Sequence, residues 1–259
     1  MHRGRAQKAD SASADAPPLP PLADSALFLD LDGTLAPISP RPEDVKPEVW
    51  RTDLLRRLGK ALGGRVAVVS GRALADVDRI LDRAVEAVAG VHGLELRLPG
   101  RGVWRAQPSA SLAAARDSLE SLVERWPGIR IEDKALSIAA HFRAAPEAGA
   151  SVRTLTERLA RELGLVLQPG DMVAELRTPG PDKGGAVRAL MAEAPFAGAR
   201  PVFVGDDLTD ERGFAAAAAM DGYGVLVGPP RETRATARLA DVAAVRDWLE
   251  AALAVQGRR

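Results

Sequence analysis

The chain has 259 residues, with 35 Lys+Arg against 35 Asp+Glu, three histidines, no cysteine, and 46% hydrophobic against 27% charged residues. Zero net charge argues against a binder that works by neutralising nucleic-acid phosphates, and the lack of cysteine removes disulfides, thiolate metal sites and thiol nucleophiles. No apolar run approaches the roughly 18–20 residues of a membrane span, and no apolar stretch follows the basic residues Arg3, Arg5 and Lys8 as in a secretory signal, so a globular cytoplasmic protein without membrane or nucleic-acid partners is expected.

Residues 1–21 are rich in Ala, Ser, Asp and Pro and end in Pro17-Pro18-Leu19-Pro20-Pro21; such a segment buries too little apolar surface to order itself and is expected to be a disordered tail. Ala26-Leu27-Phe28-Leu29, ending at Asp30, reads as a parallel strand buried on both faces. Leu54, Leu55, Leu58 and Leu62 repeat at helical spacing before a second such run, Val66-Ala67-Val68-Val69, which ends at Ser70. Together these form a βαβ unit. Residues 106–177 have a different pattern: helix 109–125, strands 129–133 and 135–143, helix 147–163 and strand 171–177. Leu136, Ile138, Ala140 and Phe142 alternate with Ser137, His141 and Arg143, and Met172, Ala174 and Leu176 with Asp171, Glu175 and Arg177. Period-two alternation predicts a sheet with one buried and one open face. A helix over about 184–194, a third buried strand at Val202-Phe203-Val204 and a helix from about 211 follow. The expected fold is α/β: a doubly wound, Rossmann-like parallel-sheet core from 22–105 and 178–259, with a smaller α+β cap domain inserted at 106–177.

In such sheets ligands bind beyond the carboxyl ends of the strands, where all three buried runs place polar residues. Asp30-Leu31-Asp32-Gly33-Thr34 sets a carboxylate that can attack as a nucleophile beside one that can act as acid and then base. The same pattern also suits an ordinary Asx turn. Asp206 and Asp207, with Asp210 close behind, crowd acids in a way that a cation relieves, although part of the group can cap the following helix. Mg²⁺ suits a few carboxylates, waters and phosphate oxygens. Ser70-Gly71-Arg72 can hold a phosphate oxygen or simply cap a helix. Lys183, just before a helix and outside any GxxxxGK[ST] pattern, can bring a positive charge to phosphate. His2, His92 and His141 are not spaced as ligands, which argues against a zinc enzyme.

In chain order, Asp30 to Thr34, Val69 to Arg72, Lys183 and Gly205 to Glu211 resemble the haloacid dehalogenase superfamily of phosphotransferases. Gly90 to Glu95, Glu132 to Lys134, His141 to Arg143, Glu175 to Arg177 and Asp182 to Gly184 narrow the resemblance to the trehalose-6-phosphate phosphatase family, over roughly residues 22–250. The resemblance implies that Asp30 is the nucleophile and Asp32 the general acid/base. It also implies that Mg²⁺ is held by the carboxylates of Asp30 and Asp206 and by the Asp32 carbonyl, with Asp207 in the metal site and Asp207 and Asp210 orienting metal waters or Lys183. Ser70 and Lys183 would hold the phosphoryl group, and Glu132, Lys134, His141, Arg143 and Glu175 the sugar hydroxyls. Leu31, Gly71, Arg72, His92, Glu95 and Arg177, within the matching segments, are further substrate-binding candidates. Asp171 stands where the family often has a basic residue, and Thr178 separates Arg177 from Pro179; the lost positive charge at 171 predicts an altered grip on the disaccharide. The expected activity is Mg²⁺-dependent hydrolysis of trehalose 6-phosphate. The alternatives are the same chemistry on sucrose phosphate or a hexose phosphate, and a non-catalytic sugar-phosphate sensor. A monomer is the working expectation.

Overall fold

The computed structural model describes residues 17, 18, 20–39 and 41–256. Strand β1 (Ser25–Leu29) is buried along its whole length, so apolar cover is needed on both sides. Leu27 and Leu29 face α1 (Val49–Ala61), α2 (Leu74–Leu81) and α7 (Val242–Gln256) in one apolar cluster. Ala26 and Phe28 face α5 (Lys183–Met191) and α6 (Glu211–Ala218) in another. The remaining strands of this layer are β2 (Val66–Val69), β3 (Ala87–Gly90), β4 (Glu95–Arg97), β5 (Val103–Arg105), β10 (Arg200–Gly205), β11 (Tyr223–Val227) and β12 (Ala237–Leu239). They form one eight-stranded sheet in the order β12-β11-β10-β1-β2-β3-β4-β5. The first six are mutually parallel, and β4 and β5 join antiparallel at one edge. This is the expected α/β class; the antiparallel edge follows from the short connections after β3, which cannot carry a crossover helix.

β1 is the switch point of the winding. The chain leaves it toward β2 on one side and returns at β10 on the other, which opens a crevice beyond Leu29, Val69 and Gly205. Between β5 and α5 lies a second, four-stranded antiparallel sheet in the order β6-β7-β9-β8, formed by β6 (Arg130–Asp133), β7 (Ser137–His141), β8 (Val166–Gly170) and β9 (Val173–Arg177). One face packs Ile138, Ala140, Ala174 and Leu176 against α3 (Leu112–Arg125) and α4 (Gly149–Leu163). Strand β8 was not among the expected elements, because Val166-Leu167-Gln168-Pro169-Gly170 lacks clean alternation and contains a proline. It is an edge strand, where proline costs no ladder bond.

The tail expectation for residues 1–16, with His2, lies outside the described residues. Its last part needs correction: Pro17 and Pro20 are buried, and the buried Trp248 Nε1 donates to the Pro17 carbonyl at 3.1 Å, so packing on α7 holds this segment. Among the described residues no helix is long and apolar enough to cross a membrane.

Candidate active site

Asp30 leaves β1 with its backbone N–H bonded to the Val204 carbonyl at 2.9 Å, which locks it beside the end of β10. Gly33 follows at φ +76°, and a Cβ there would lie 2.1 Å from Asp206 Oδ2. Only glycine lets the turn approach Asp206 this closely. Lys183, the first residue of α5, reaches under the same point. Its Nζ donates to Asp210 Oδ1 at 2.7 Å and lies 3.1 Å from Asp30 Oδ2, with 2% of the side chain exposed. Asp182 caps α5 by accepting from Gly185 N–H, which offsets the unfavourable placing of a lysine at a helix start.

Asp30, Asp206 and Asp210 each bring a carboxylate oxygen within 4.8 Å of the others. Burial pushes the Asp30 carboxyl well above the usual range, and the neighbouring Asp210, Asp206 and Asp32 charges add to this against Lys183. Burial and the Asp210 charge push Asp206 up to about 7. Burial alone would lower Lys183, but Asp210 and Asp30 hold it well above its ordinary value. Asp210 is fully engaged, since its second oxygen accepts from Asp207 N–H at 2.9 Å. By contrast, Asp206 Oδ1 is buried without a hydrogen-bond partner. A cluster of hard oxygen donors with an orphaned acceptor fits a small divalent cation. Asp207 was expected at the metal, but its side chain lies outside this trio; Asp32 was expected there through its backbone carbonyl, and its side chain is turned elsewhere. Both Asp32 oxygens accept from Arg72, at 2.6 and 2.7 Å, and Asp207 Oδ1 caps the turn of 3₁₀-helix before α6 by accepting from Leu208 N–H.

A cavity of about 230 Å³ opens over these carboxylates, and both sheets line it. The parallel core contributes Asp30, Asp32, Ser70, Gly71, Arg72, His92, Lys183, Asp206 and Asp207; the second sheet and its loops contribute Glu132, Lys134, His141, Arg143, Asp171 and Glu175. A buried network joins the two groups. Glu175 Oε1 accepts from Ser137 Oγ at 2.5 Å, and its Oε2 accepts from Lys134 Nζ at 3.0 Å and lies 3.3 Å from His92 Nε2. Lys134 also donates to the Gly71 carbonyl at 3.1 Å. Burial would raise Glu175, but Lys134 and His92 hold it well below the carboxylate range. Burial keeps the His92 imidazole below its ordinary value. Glu132 Oε2 lies 2.8 Å from His141 Nε2, and its carboxyl is lowered because that bond and Lys134 outweigh burial. Arg143 donates to Asp171 Oδ2 at 2.8 Å, so the acidic residue at 171 neutralises a guanidinium on the cavity wall.

Three substrate-binding candidates lie outside the cavity lining. Leu31 is fully buried in the core, and its carbonyl accepts from the Leu35 and Ala36 amides. Glu95 accepts from Leu74 N–H at 2.6 Å and Arg105 Nε at 2.8 Å, so it caps the start of α2. Arg177, 4% exposed, donates to the Pro181 carbonyl and pins the segment leading into α5. Each sits next in sequence to a cavity residue or in a matching segment, which is why proximity along the chain misled. Sequence reasoning missed Ile38, Ser39, Pro42 and Thr209, which line the cavity. Ile38, 54% exposed at its mouth, carries no chemical signal in the sequence.

Residues 28–242 match the trehalose-phosphatase family. The chain belongs to that family. It is 38% identical over 227 residues to the trehalose-6-phosphate phosphatase of Escherichia coli K12, covering 87% of this chain and 85% of that protein. It is 37% identical over 207 residues to a probable trehalose-phosphate phosphatase of Sinorhizobium fredii, covering 79% and 78%. A solved trehalose-6-phosphate phosphatase related protein superposes with a TM-score of 0.75 at 29% identity, over 90% of this chain and 99% of that one. A sugar phosphatase of haloacid dehalogenase subclass IIB shares the fold, with a TM-score of 0.60 at 14% identity over 88% and 98%. Metal-dependent hydrolysis of a phosphoric monoester goes with membership of the trehalose-phosphatase family.

Proposed function

We propose that this chain hydrolyses trehalose 6-phosphate to trehalose and phosphate with Mg²⁺ as its cation. The observation that carries the reading is one cavity that has the Asp30–Lys183–Asp206 cluster at its floor and the polar face of the second sheet above it. Asp30 and Asp206 would hold the cation, with Asp207 beside it. When bound, the cation offsets the charge that otherwise keeps a carboxylate away from a phosphoryl group. Asp30 attacks phosphorus, the bond from phosphorus to the sugar oxygen breaks, and Asp32 delivers a proton to that oxygen. Asp32 then takes a proton from the water that hydrolyses the aspartyl-phosphate, which returns Asp30. Ser70 and Lys183 hold the phosphoryl oxygens. Glu132, Lys134, His141, Arg143 and Glu175 bind sugar hydroxyls from a cap that excludes bulk water. A monomer acting in the cytoplasm belongs to the same proposal.

The Arg143–Asp171 pair favours a second reading, in which the same mechanism serves another sugar phosphate because that guanidinium is already engaged. Phosphate release from trehalose 6-phosphate, sucrose 6-phosphate and glucose 6-phosphate, with and without Mg²⁺, separates the two. Trehalose 6-phosphate is expected to have the highest kcat/KM, and Asp30→Asn to abolish turnover on every substrate. Substantial activity in that variant would remove Asp30 as the nucleophile.

A further inference from the structure

Arg72 was expected to bind substrate, yet all three of its guanidinium nitrogens are committed inside the protein. Nε donates to Asp32 Oδ2 at 2.6 Å, Nη2 to Asp32 Oδ1 at 2.7 Å, and Nη1 to the Pro42 carbonyl at 2.7 Å. Its backbone N–H donates to Ser70 Oγ at 3.1 Å, which ties the base of the side chain to the loop after β2. The Arg72 side chain is 10% exposed, whereas the Asp32 side chain is 34% exposed on a glycine turn. Among the described residues, only Arg72 donates hydrogen bonds to the Asp32 carboxylate.

We infer that Arg72 is a positioning residue for the acid/base. It is anchored on Pro42 and forks Asp32, which aims that carboxylate at the oxygen leaving phosphorus. The inference rests on the role given to Asp32 in the proposed reaction. A planar two-bond fork fixes both distance and orientation, which a lysine ammonium cannot do. Displacing a catalytic group by about 1 Å can cost on the order of 100-fold in rate, and complete loss of general acid catalysis about 10²–10⁴-fold.

The test uses the full chain with Mg²⁺ and four variants: Arg72→Gln, Arg72→Lys, Asp32→Asn and the Arg72→Gln/Asp32→Asn double variant. The substrates are trehalose 6-phosphate and p-nitrophenyl phosphate, whose phenolate departs with little need of a proton. Arg72→Gln is expected to lower kcat on the sugar phosphate by about 10–100-fold, with KM changed by less than about threefold, and to slow the first-turnover burst of p-nitrophenolate far less. Arg72→Lys should fall with it. In the Asp32→Asn background, Arg72→Gln should cost less than about twofold more, because the two residues act as a unit. A rise in KM at unchanged kcat would make Arg72 a substrate contact and overturn the inference. So would an equal slowing of the first-turnover p-nitrophenolate burst, or a full additional loss in the Asp32→Asn background. Urea midpoints check folding, and if neither Arg72 variant folds, the residue is structural and the inference falls. If the wild-type chain prefers a different sugar phosphate, the reading of the substrate fails, while the same comparison is made on the preferred ester.

Discussion

In the metal-free protein, Asp206 should withdraw folding stability as the pH rises from 5 to 8. Its carboxyl is pushed up to about 7 in the folded chain, chiefly by burial and the Asp210 charge, against an ordinary value of 3.8. The folded state therefore keeps a proton at pH 5 that the unfolded chain has already lost. Stability is fully present below the unfolded value and declines with rising pH until the folded group has ionised, near pH 7. From pH 5 to 7, two pH units at about 1.4 kcal/mol each amount to about 3 kcal/mol, a large part of the 5–15 kcal/mol typical of a folded domain. Asp30, also raised by burial, acts in the same direction, whereas the buried His92, held below its ordinary 6.5, acts in the opposite one as the pH rises toward 6.5. Urea unfolding in EDTA at pH 5, 6, 7 and 8 measures the effect. Saturating Mg²⁺ should remove most of the decline, because a cation favours the ionised acids and stabilises the folded state by mass action. Asp206→Asn should flatten the EDTA profile. An unchanged slope between pH 5 and 7 in Asp206→Asn, compared with the parent chain in EDTA, would refute the reasoning.

Two further substitutions probe the surroundings of the site. Gly33→Ala places a Cβ 2.1 Å from Asp206 Oδ2 at a positive φ. It should weaken Mg²⁺ binding by about 10-fold or more, as read by titration calorimetry; a folded variant with unchanged affinity would show that the turn does not set the position of Asp206. Glu95→Ala removes the acceptor for Leu74 N–H and should cost about 1–2 kcal/mol of stability while leaving kcat and KM within about twofold. A raised KM at unchanged stability would return Glu95 to the substrate.

Much of the core was legible because its strands are unbroken apolar runs. The runs expected to end at Asp30, Ser70 and Gly205 are β1, β2 and β10, adjacent in the sheet, and burial on both faces leaves a strand little other composition to adopt. Short and edge strands were harder. β5 is wholly exposed and β8 contains Pro169, so neither carries a hydrophobic period. The polar face of the inserted sheet could be read from alternation, which assigned Ser137 and His141 to one side and Ile138 and Ala140 to the other. Alternation does not say where a strand ends, and Arg177, on the Glu175 face by count, closes onto Pro181 instead of the cavity.

By itself the sequence determined the chemical vocabulary: which acids follow which strands, that a lysine starts a helix near them, and that the inserted sheet has one polar face. Those are local properties, written in period and spacing. Only the tertiary structure decided which groups pair. It bound Arg72 to Asp32, Lys183 to Asp210 as well as Asp30, Lys134 to the Gly71 carbonyl, and Glu95 to a helix end. These partners lie tens of residues apart in the chain. Their choice follows from burial, which requires every charged group taken out of water to find an opposite charge or hydrogen bond within reach.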